Sequence, residues 1–127
     1  MKKLSALFVS LSIIFSCSEK VKMTADEQAA MSLAERIVPE YVSNLKFVQT
    51  RDSLDVFELH QENDILVIKG NNANSMAAGL NHYLKNFCDV TVSWHVFDPV
   101  EYPEQMPKVD SVVRVEARTQ ERFFLNY

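Results

Sequence analysis

The fold is set by residues 65–87, ILVIKGNNANSMAAGLNHYLKNF. Residues 65–68 form a continuously apolar run, which is typical of a strand covered on both faces. Gly70 allows a sharp exit from that strand, and Asn74 or Ser75 can cap the helix that follows. Apolar side chains then recur with the helical period at Met76, Leu80, Tyr83, Leu84 and Phe87. The stretch therefore predicts a strand, a glycine turn and a helix over residues 75–87.

The same helix carries a patch with almost no side chains. Ala77, Ala78 and Gly79 are consecutive, and Gly79 lowers helix propensity by roughly 1 kcal/mol relative to alanine. Such a patch lets a helix approach a sheet or a second helix closely. We therefore expect residues 77–79 to pack against the rest of the fold.

Downstream of the helix, apolar residues alternate with polar ones over residues 90–96, which predicts a strand with one buried face. With the strand at residues 65–68 it forms a strand-helix-strand unit, which favours a parallel, right-handed crossover. Residues 98–108 contain three prolines and predict an extended loop. Residues 112–116 and 123–127 are again typical of strands.

Upstream, Thr24 and Glu27 have the spacing of a capping box, and the apolar period after them predicts a helix over about residues 25–39. Residues 46–50 and 54–60 are strand-like, with a polar turn at residues 61–64. We interpret these strands as a meander that ends in the central strand at residues 65–68. The expected fold is α/β (α+β), a small mixed sheet packed by two helices.

The first residues have the pattern of an export signal. Lys2 and Lys3 precede an apolar run at residues 4–15, which is shorter than the roughly 20 residues a membrane-spanning helix needs. Ser16 and Cys17 then resemble the lipobox of bacterial lipoproteins, in which the cysteine is acylated. This predicts a signal peptide at residues 1–16, a lipidated Cys17, a tether over residues 17–23 and a location at the membrane in the periplasm or on the cell surface. An unlipidated signal peptide and a retained anchor helix are the alternatives.

Composition limits the remaining possibilities. Removing the signal peptide leaves 111 residues, with 11 Lys and Arg against 17 Asp and Glu, a formal charge of −6. Nothing in this balance favours a nucleic-acid partner, which needs a basic surface. Cys88 would be the one remaining cysteine, so no intramolecular disulfide is expected. No phosphate loop or dinucleotide motif occurs, and no cofactor is expected.

Several side chains could carry chemistry, but each has an ordinary structural explanation. His82, Cys88 and His95 lack the regular spacing of metal ligands, so no metal site is expected; His82 is expected on the solvated side of the helix and Cys88 in the core. Trp94 could stack on a sugar, although its alternation favours core packing. The carboxylates considered as pairs are Glu58, Glu62, Glu101 and Glu104. Surface charge is the expected reading of these four, since no scaffold for an active site is visible around them.

Three motifs carry a resemblance to a known family. They are GLNHYLKNFC at residues 79–88, VSW at residues 92–94 and RFFLNY at residues 122–127. Together with the strand and Gly70, they resemble the small α/β domain that precedes the barrel of hexosaminidases, and specifically the N-terminal region of α-N-acetylglucosaminidases of glycoside hydrolase family 89. The resemblance covers residues 25–127.

The resemblance implies a role without catalysis. Members of the family are retaining glycosidases that remove terminal α-linked N-acetylglucosamine with two glutamates, which must lie about 5 to 5.5 Å apart. Both glutamates belong to the (β/α)₈ barrel, downstream of this chain. Residues 24–116 would be the accessory domain and residues 117–127 the start of the barrel, where Asn126 matches the asparagine that contacts the sugar.

We therefore expect an inactive fragment whose partner is the catalytic barrel, through which alone it would meet glycan. The apolar residues 123–127 agree, because a free domain rarely exposes such a segment at its end. The alternative is a stand-alone binding or interaction lipoprotein of the cell envelope that presents this edge to a partner.

Overall fold

A computed structural model of the chain describes residues 22–93 and 100–118. These residues form two helices, α1 and α2, and four strands, β1 to β4, with a 3₁₀ helix after α1. In chain order these elements are α1 (Ala25–Ile37), the 3₁₀ helix (Pro39–Asn44), β1 (Leu45–Gln49), β2 (Val56–Glu62), β3 (Ile65–Gly70), α2 (Ala73–Asn86) and β4 (Val113–Glu116).

The four strands form one mixed sheet in the order β1-β3-β2-β4. β3 pairs in parallel with β1 and antiparallel with β2, and β4 pairs antiparallel with β2. The predicted fold class, a mixed sheet packed by two helices, is confirmed. β3 is central as its apolar run predicts, and its Leu66, Val67 and Ile68 are at most 1 % exposed.

The predicted meander is wrong, because β1 pairs with β3 and not with β2. In a meander β2 would lie between β1 and β3. In the observed order β3 has partners on both sides, so both edges of the most apolar strand are hydrogen-bonded within the sheet. The turn before β3 is also shorter than predicted, since β2 extends to Glu62 and Asn63 turns the chain with φ of 56°.

The strand-helix-strand unit exists, but its second strand is β4. β3 and β4 both run antiparallel to β2, so they are parallel to each other with β2 between them. Residues 90–93 form no strand, and the remainder of the predicted strand, residues 94–96, lies outside the described residues. The end of α2 accounts for this. Asp89 has φ of 55° and the Val90 amide donates to the Leu84 carbonyl at 2.9 Å, so a left-handed residue caps the helix and turns the chain back onto its last turn. Val90 is therefore buried by the cap.

Both helices begin at a capped residue. Thr24 and Glu27 form the predicted capping box, whereas α2 is capped by Asn72, whose Oδ1 accepts from the Ser75 amide at 2.9 Å. Asn74 and Ser75 were the predicted caps, and the real start lies two residues earlier than predicted, because Asn72 already has the extended backbone that a cap requires. α1 ends at Ile37, where Pro39 starts the 3₁₀ helix.

The core lies between the two helices and one face of the sheet. Phe47, Leu59 and Ile68 point to this face, and Met76, Leu80 and Tyr83 of α2 cover it. Gly79 brings α2 close to the sheet, since a Cβ there would lie 2.9 Å from Ile68 Cγ2. The predicted packing of the bare patch is confirmed at Gly79, which is buried, while Ala78 is exposed.

Candidate functional site

Polar side chains meet where the parallel strands β1 and β3 end and both helices begin. In α/β sheets this edge is the usual place for a ligand. We call this group the strand-end cluster; it consists of Asp26, Glu27, Gln49, Asp55, Asn71, Asn72 and Ser75. Asp26 accepts hydrogen bonds from Gln49 Nε2 at 2.7 Å and from the Ala73 amide at 3.2 Å, so it joins α1, β1 and α2.

The strand-end cluster satisfies itself internally. Asn71 Oδ1 accepts from the Val56 amide at 3.3 Å and from Ser75 Oγ at 2.8 Å. Asp55 Oδ1 accepts from Asn71 Nδ2 at 3.3 Å and from Asn72 Nδ2 at 2.7 Å. Groups that already hold partners of this quality gain little by exchanging them for a ligand. The cluster therefore fastens the helices to the sheet.

The sheet face that the helices leave open carries charged residues in register across the strands. We call it the charged ladder; it consists of Lys46, Glu58, His60, Glu62, Lys69, Arg114 and Glu116, with Asp52 beside it. Glu58 lies between Lys69 on β3 and Arg114 on β4, with its oxygens 2.9 Å from Lys69 Nζ and 3.7 Å from Arg114 Nη1. His60 Nε2 lies 3.0 Å from Glu62 Oε1.

Two carboxylates of the ladder, Glu58 and Glu62, have pKa values below the ordinary value for glutamate. The hydrogen bond from Lys69 lowers the pKa of Glu58 despite its partial burial, and the hydrogen bond with His60 lowers the pKa of Glu62. The general acid of a glycosidase needs a raised pKa. Glu58 and Glu62 are thus held ionised in salt bridges, and Glu101 and Glu104 are exposed on the loop.

Three tyrosines fix the proline-containing loop after α2. Tyr41 and Tyr83 donate to the carbonyls of Pro103 and Pro107, and Tyr102 of the loop donates to the Ile37 carbonyl at 2.7 Å. Burial raises the pKa of all three hydroxyls. Sequence reasoning missed this role, because no spacing rule relates a tyrosine to a carbonyl more than 20 residues away.

A shallow cleft of about 350 Å³ lies between the 3₁₀ helix, the β2–β3 turn and this loop. Its walls include Glu40, Asp64 and Glu104, together with the amide of Gln61. The one aromatic side chain in the wall, Tyr41, is only 6 % exposed. A sugar-stacking face is therefore not offered there by the described residues.

The remaining residues singled out from the sequence fall into two groups. Cys88 is buried as predicted, and desolvation raises its pKa; His82 is only half-exposed, because its ring lies 5.2 Å from the ring of Phe57. Cys17, Trp94, His95 and Asn126 lie outside the described residues. Within residues 22–93 and 100–118, no group of three or more His, Cys, Asp or Glu could hold a metal, and no helix is long and apolar enough to cross a bilayer.

Comparisons with known proteins agree with this architecture. The sequence model of the alpha-N-acetylglucosaminidase (NAGLU) N-terminal domain matches residues 28–108. No curated protein matches the chain.

Solved structures of a family 89 glycoside hydrolase from Clostridium perfringens are similar to the chain. One, in complex with 2-acetamido-1,2-dideoxynojirmycin, has a TM-score of 0.70 and 32 % identity over 76 % of this chain. Another, in complex with PUGNAc, has a TM-score of 0.69 and 33 % identity over 80 % of this chain. A third holds its substrate GlcNAc-alpha-1,4-galactose, with a TM-score of 0.68 and 32 % identity over 76 % of this chain.

The chain spans only 11 to 12 % of the length of these solved chains. Residues 28–108 contain most of α1, strands β1 to β3, α2 and the loop after it, and they match the accessory part of a larger glycoside hydrolase. This chain belongs to the family of α-N-acetylglucosaminidase N-terminal domains.

Proposed function

We propose that the chain serves an α-N-acetylglucosaminidase that acts on terminal α-linked N-acetylglucosamine, and that it is inactive by itself. The observation that carries the proposal is the match to the N-terminal domain, together with the solved relative that binds GlcNAc-alpha-1,4-galactose. The carboxylates of the charged ladder support the proposed inactivity, because they are already bonded to side chains of the same sheet. A retaining glycosidase needs a carboxylate nucleophile and a protonated acid facing each other, whereas Glu58 and Glu62 are held by cations and by His60.

The domain's contribution in this proposal is mechanical. Its two helices and four strands are fastened by the strand-end cluster and the tyrosine-held loop, which makes it a rigid body. A rigid body that packs on a barrel can orient the barrel. Asn126 would enter the sugar site only as part of that barrel.

We further propose that the whole protein is exported and anchored in the membrane by acylation of Cys17. Lys2, Lys3 and the apolar residues 4–15 support export. Three acyl chains on one cysteine would hold the protein stably, since one chain alone is marginal. The anchor would keep the enzyme at the cell envelope.

The activity is tested on the polypeptide translated past Tyr127. The expected reading frame continues into a barrel, and the longer product releases aryl alcohol from an aryl α-N-acetylglucosaminide. A stop codon directly after Tyr127, with a well-folded monomer, would favour the stand-alone binding lipoprotein instead.

The anchor is tested by mass spectrometry of the protein made in its own host. We expect cleavage before Cys17 and a diacylglyceryl adduct on its sulfur, and we expect Cys17→Ser to release the protein from the membrane fraction. An unmodified Cys17 in a soluble, cleaved product would contradict lipidation and leave export standing.

A further inference from the structure

β4 is an edge strand, and its outer edge is open to a partner strand. It stands last in the order β1-β3-β2-β4, so none of the described residues forms a strand beyond it. Val112 and Val115 at this edge are 63 % and 39 % exposed. α2 contributes only the small Ser75 and Ala78 to the wall of the groove beside β4, so the helix leaves room at the edge. An unpaired edge of this kind is a template for pairing with another chain.

The hydrogen bonds between β2 and β4 show which residues point to the open edge. The Ala117 amide donates to the carbonyl of the opposite residue, Asp55, at 2.7 Å, so these two residues are a hydrogen-bonded pair. Such pairs alternate with non-bonded pairs along an antiparallel ladder. Val115 is therefore also bonded to β2, whereas Arg114 and Glu116 direct their amides and carbonyls away from β2.

The charges of these two residues select one register for a second copy of β4. In a two-fold antiparallel pair, the residues that point outward must face each other. Registers with arginine opposite arginine, or glutamate opposite glutamate, place like charges directly across the strands, which is destabilising. In the register between them, Arg114 of each copy lies opposite Glu116 of the other. Val115 then faces its own counterpart in the close, non-hydrogen-bonded position. β4 is thus complementary to itself in this register.

We propose that two copies of the chain pair through β4, antiparallel and with the two-fold axis at Val115, so that their sheets become one continuous sheet. The charged ladder continues across the axis, because Arg114 and Glu116 lie on its face. A strand of four residues buries less than the roughly 800 Å² per partner of a standard interface, so the dimer is weak and forms at high protein concentration. The inference concerns the chain's own edge and does not depend on the proposed function.

Disulfide formation tests the register. Val115→Cys places a thiol on the two-fold axis, where the two Cα atoms lie about 4.5 Å apart, a distance that a disulfide can span. Val112→Cys is the matched control. Its side chain is more exposed, but the two Cα atoms would lie about 20 Å apart along the paired strands. Both variants also carry Cys17→Ser, and the remaining Cys88 is buried.

We expect the thiol at position 115 to form a disulfide-linked dimer at least about tenfold faster than the thiol at position 112 under mild oxidation. Equal rates, or a faster reaction of the more exposed position 112, would overturn the proposal.

Charge variants test the complementarity without a crosslink. Arg114→Glu leaves two acidic residues at the edge and Glu116→Arg leaves two basic ones, so neither variant should associate with itself. An equal mixture places opposite charges at both paired positions and should form the mixed dimer. Sedimentation at increasing concentration compares wild type, each variant and the mixture, after thermal unfolding has shown that each variant is folded.

Glu116→Arg alone keeps this second test decisive, because Arg114→Glu loses the contacts with Asp52 and Glu58 and can fail to fold. A wild-type chain that stays monomeric at its highest soluble concentration would contradict the pairing through β4. Association of Glu116→Arg as strong as that of wild type would contradict it equally.

Discussion

The chain's two glycines occupy their positions because there is no room for a side chain. Neither has a positive φ, so the exit from β3 at Gly70 does not use a left-handed backbone. A Cβ on Gly70 would lie 2.8 Å from the Met76 amide nitrogen. The first turn of α2 sits directly on the end of β3, and Gly70 leaves space for it.

Gly79→Ala should destabilise the domain even though alanine is the better helix former. The new Cβ would lie 2.9 Å from Ile68 Cγ2 and 3.3 Å from Phe57 Cβ. Overpacking of this kind costs about 1 to 3 kcal/mol, which outweighs a propensity gain of about 1 kcal/mol. Urea unfolding measures the change, with Ala78→Gly on the exposed side of α2 as the control for propensity. A more stable Gly79→Ala would show that α2 is free to move away from the sheet.

Glu58 should make the stability of the domain depend on pH in the acid range. Its pKa is lowered by the hydrogen bond from Lys69, so the ionised form favours the folded state. This contribution is complete above the unfolded pKa of about 4.3 and is lost as the pH falls through the lower folded value.

The test compares wild type with Glu58→Gln between pH 7 and pH 3. The difference in free energy of unfolding should favour wild type at neutral pH and should shrink as the pH falls below about 4. A difference that stays constant with pH would mean that the contacts with Lys69 and Arg114 do not persist in solution. Glu35→Gln on the exposed side of α1 is the control.

Among the helices and strands, the existence of the elements was more predictable than their pairing. The apolar period predicts α1 and α2, and the capping box predicts the start of α1, because these signals are local. The order β1-β3-β2 depends on which strand is stabilised most by hydrogen-bonded neighbours on both edges. That comparison involves the whole sheet, so no local sequence signal reveals it. The end of α2 depends on Asp89 adopting φ of 55°, which no period reveals.

The strand-end cluster could not be predicted either, because its hydrogen bonds join residues far apart in the sequence. Asp26 and Gln49 are 23 positions apart, and Asp26 and Ala73 are 47 positions apart. Single residues such as Thr24 and Glu27 give a local signal for capping, but nothing local indicates that Glu27 also reaches β1. The burial of Cys88 was predictable, since it follows the apolar stripe of α2.

The Glu27 carboxylate joins α1 to the edge of the sheet, one oxygen for each hydrogen bond. Replacing one of these oxygens should therefore lower the stability of the domain. Oε2 accepts from the Thr24 amide and Oε1 from the Gln49 amide, both at 2.8 Å. Glutamine has one acceptor oxygen and can keep only one of these bonds. Glu27→Gln should therefore cost about 1 kcal/mol and Glu27→Ala about twice that. Equal costs in urea unfolding would argue against the double role.

The tyrosine-held loop should loosen when a hydroxyl is removed. Tyr83 is fully buried and donates to the Pro107 carbonyl at 2.7 Å. Tyr83→Phe leaves that carbonyl without its partner, which costs about 1 to 3 kcal/mol. Hydrogen exchange should increase in residues 100–108 before it increases in β3. Tyr102→Phe, at a partly exposed residue, should show a smaller effect; unchanged exchange in both variants would contradict the role of the tyrosines.

Considered as one body, the chain is an accessory domain. Its internal hydrogen bonds hold helices, sheet and loop together, and its open sheet face is charged. The family to which it belongs pairs such a domain with a catalytic part. The pKa values of Glu58 and Glu62 are lowered by hydrogen bonds with Lys69 and His60, which is opposite to the direction that a general acid needs.

The most direct measurement is hydrolysis of an aryl α-N-acetylglucosaminide by the purified 127-residue chain and, in parallel, by the product translated past Tyr127. We expect no release above the buffer blank for the short chain and clear release for the longer product. Hydrolysis by the short chain that survives repeated purification, and that is abolished by Glu58→Gln or Glu62→Gln, would contradict it.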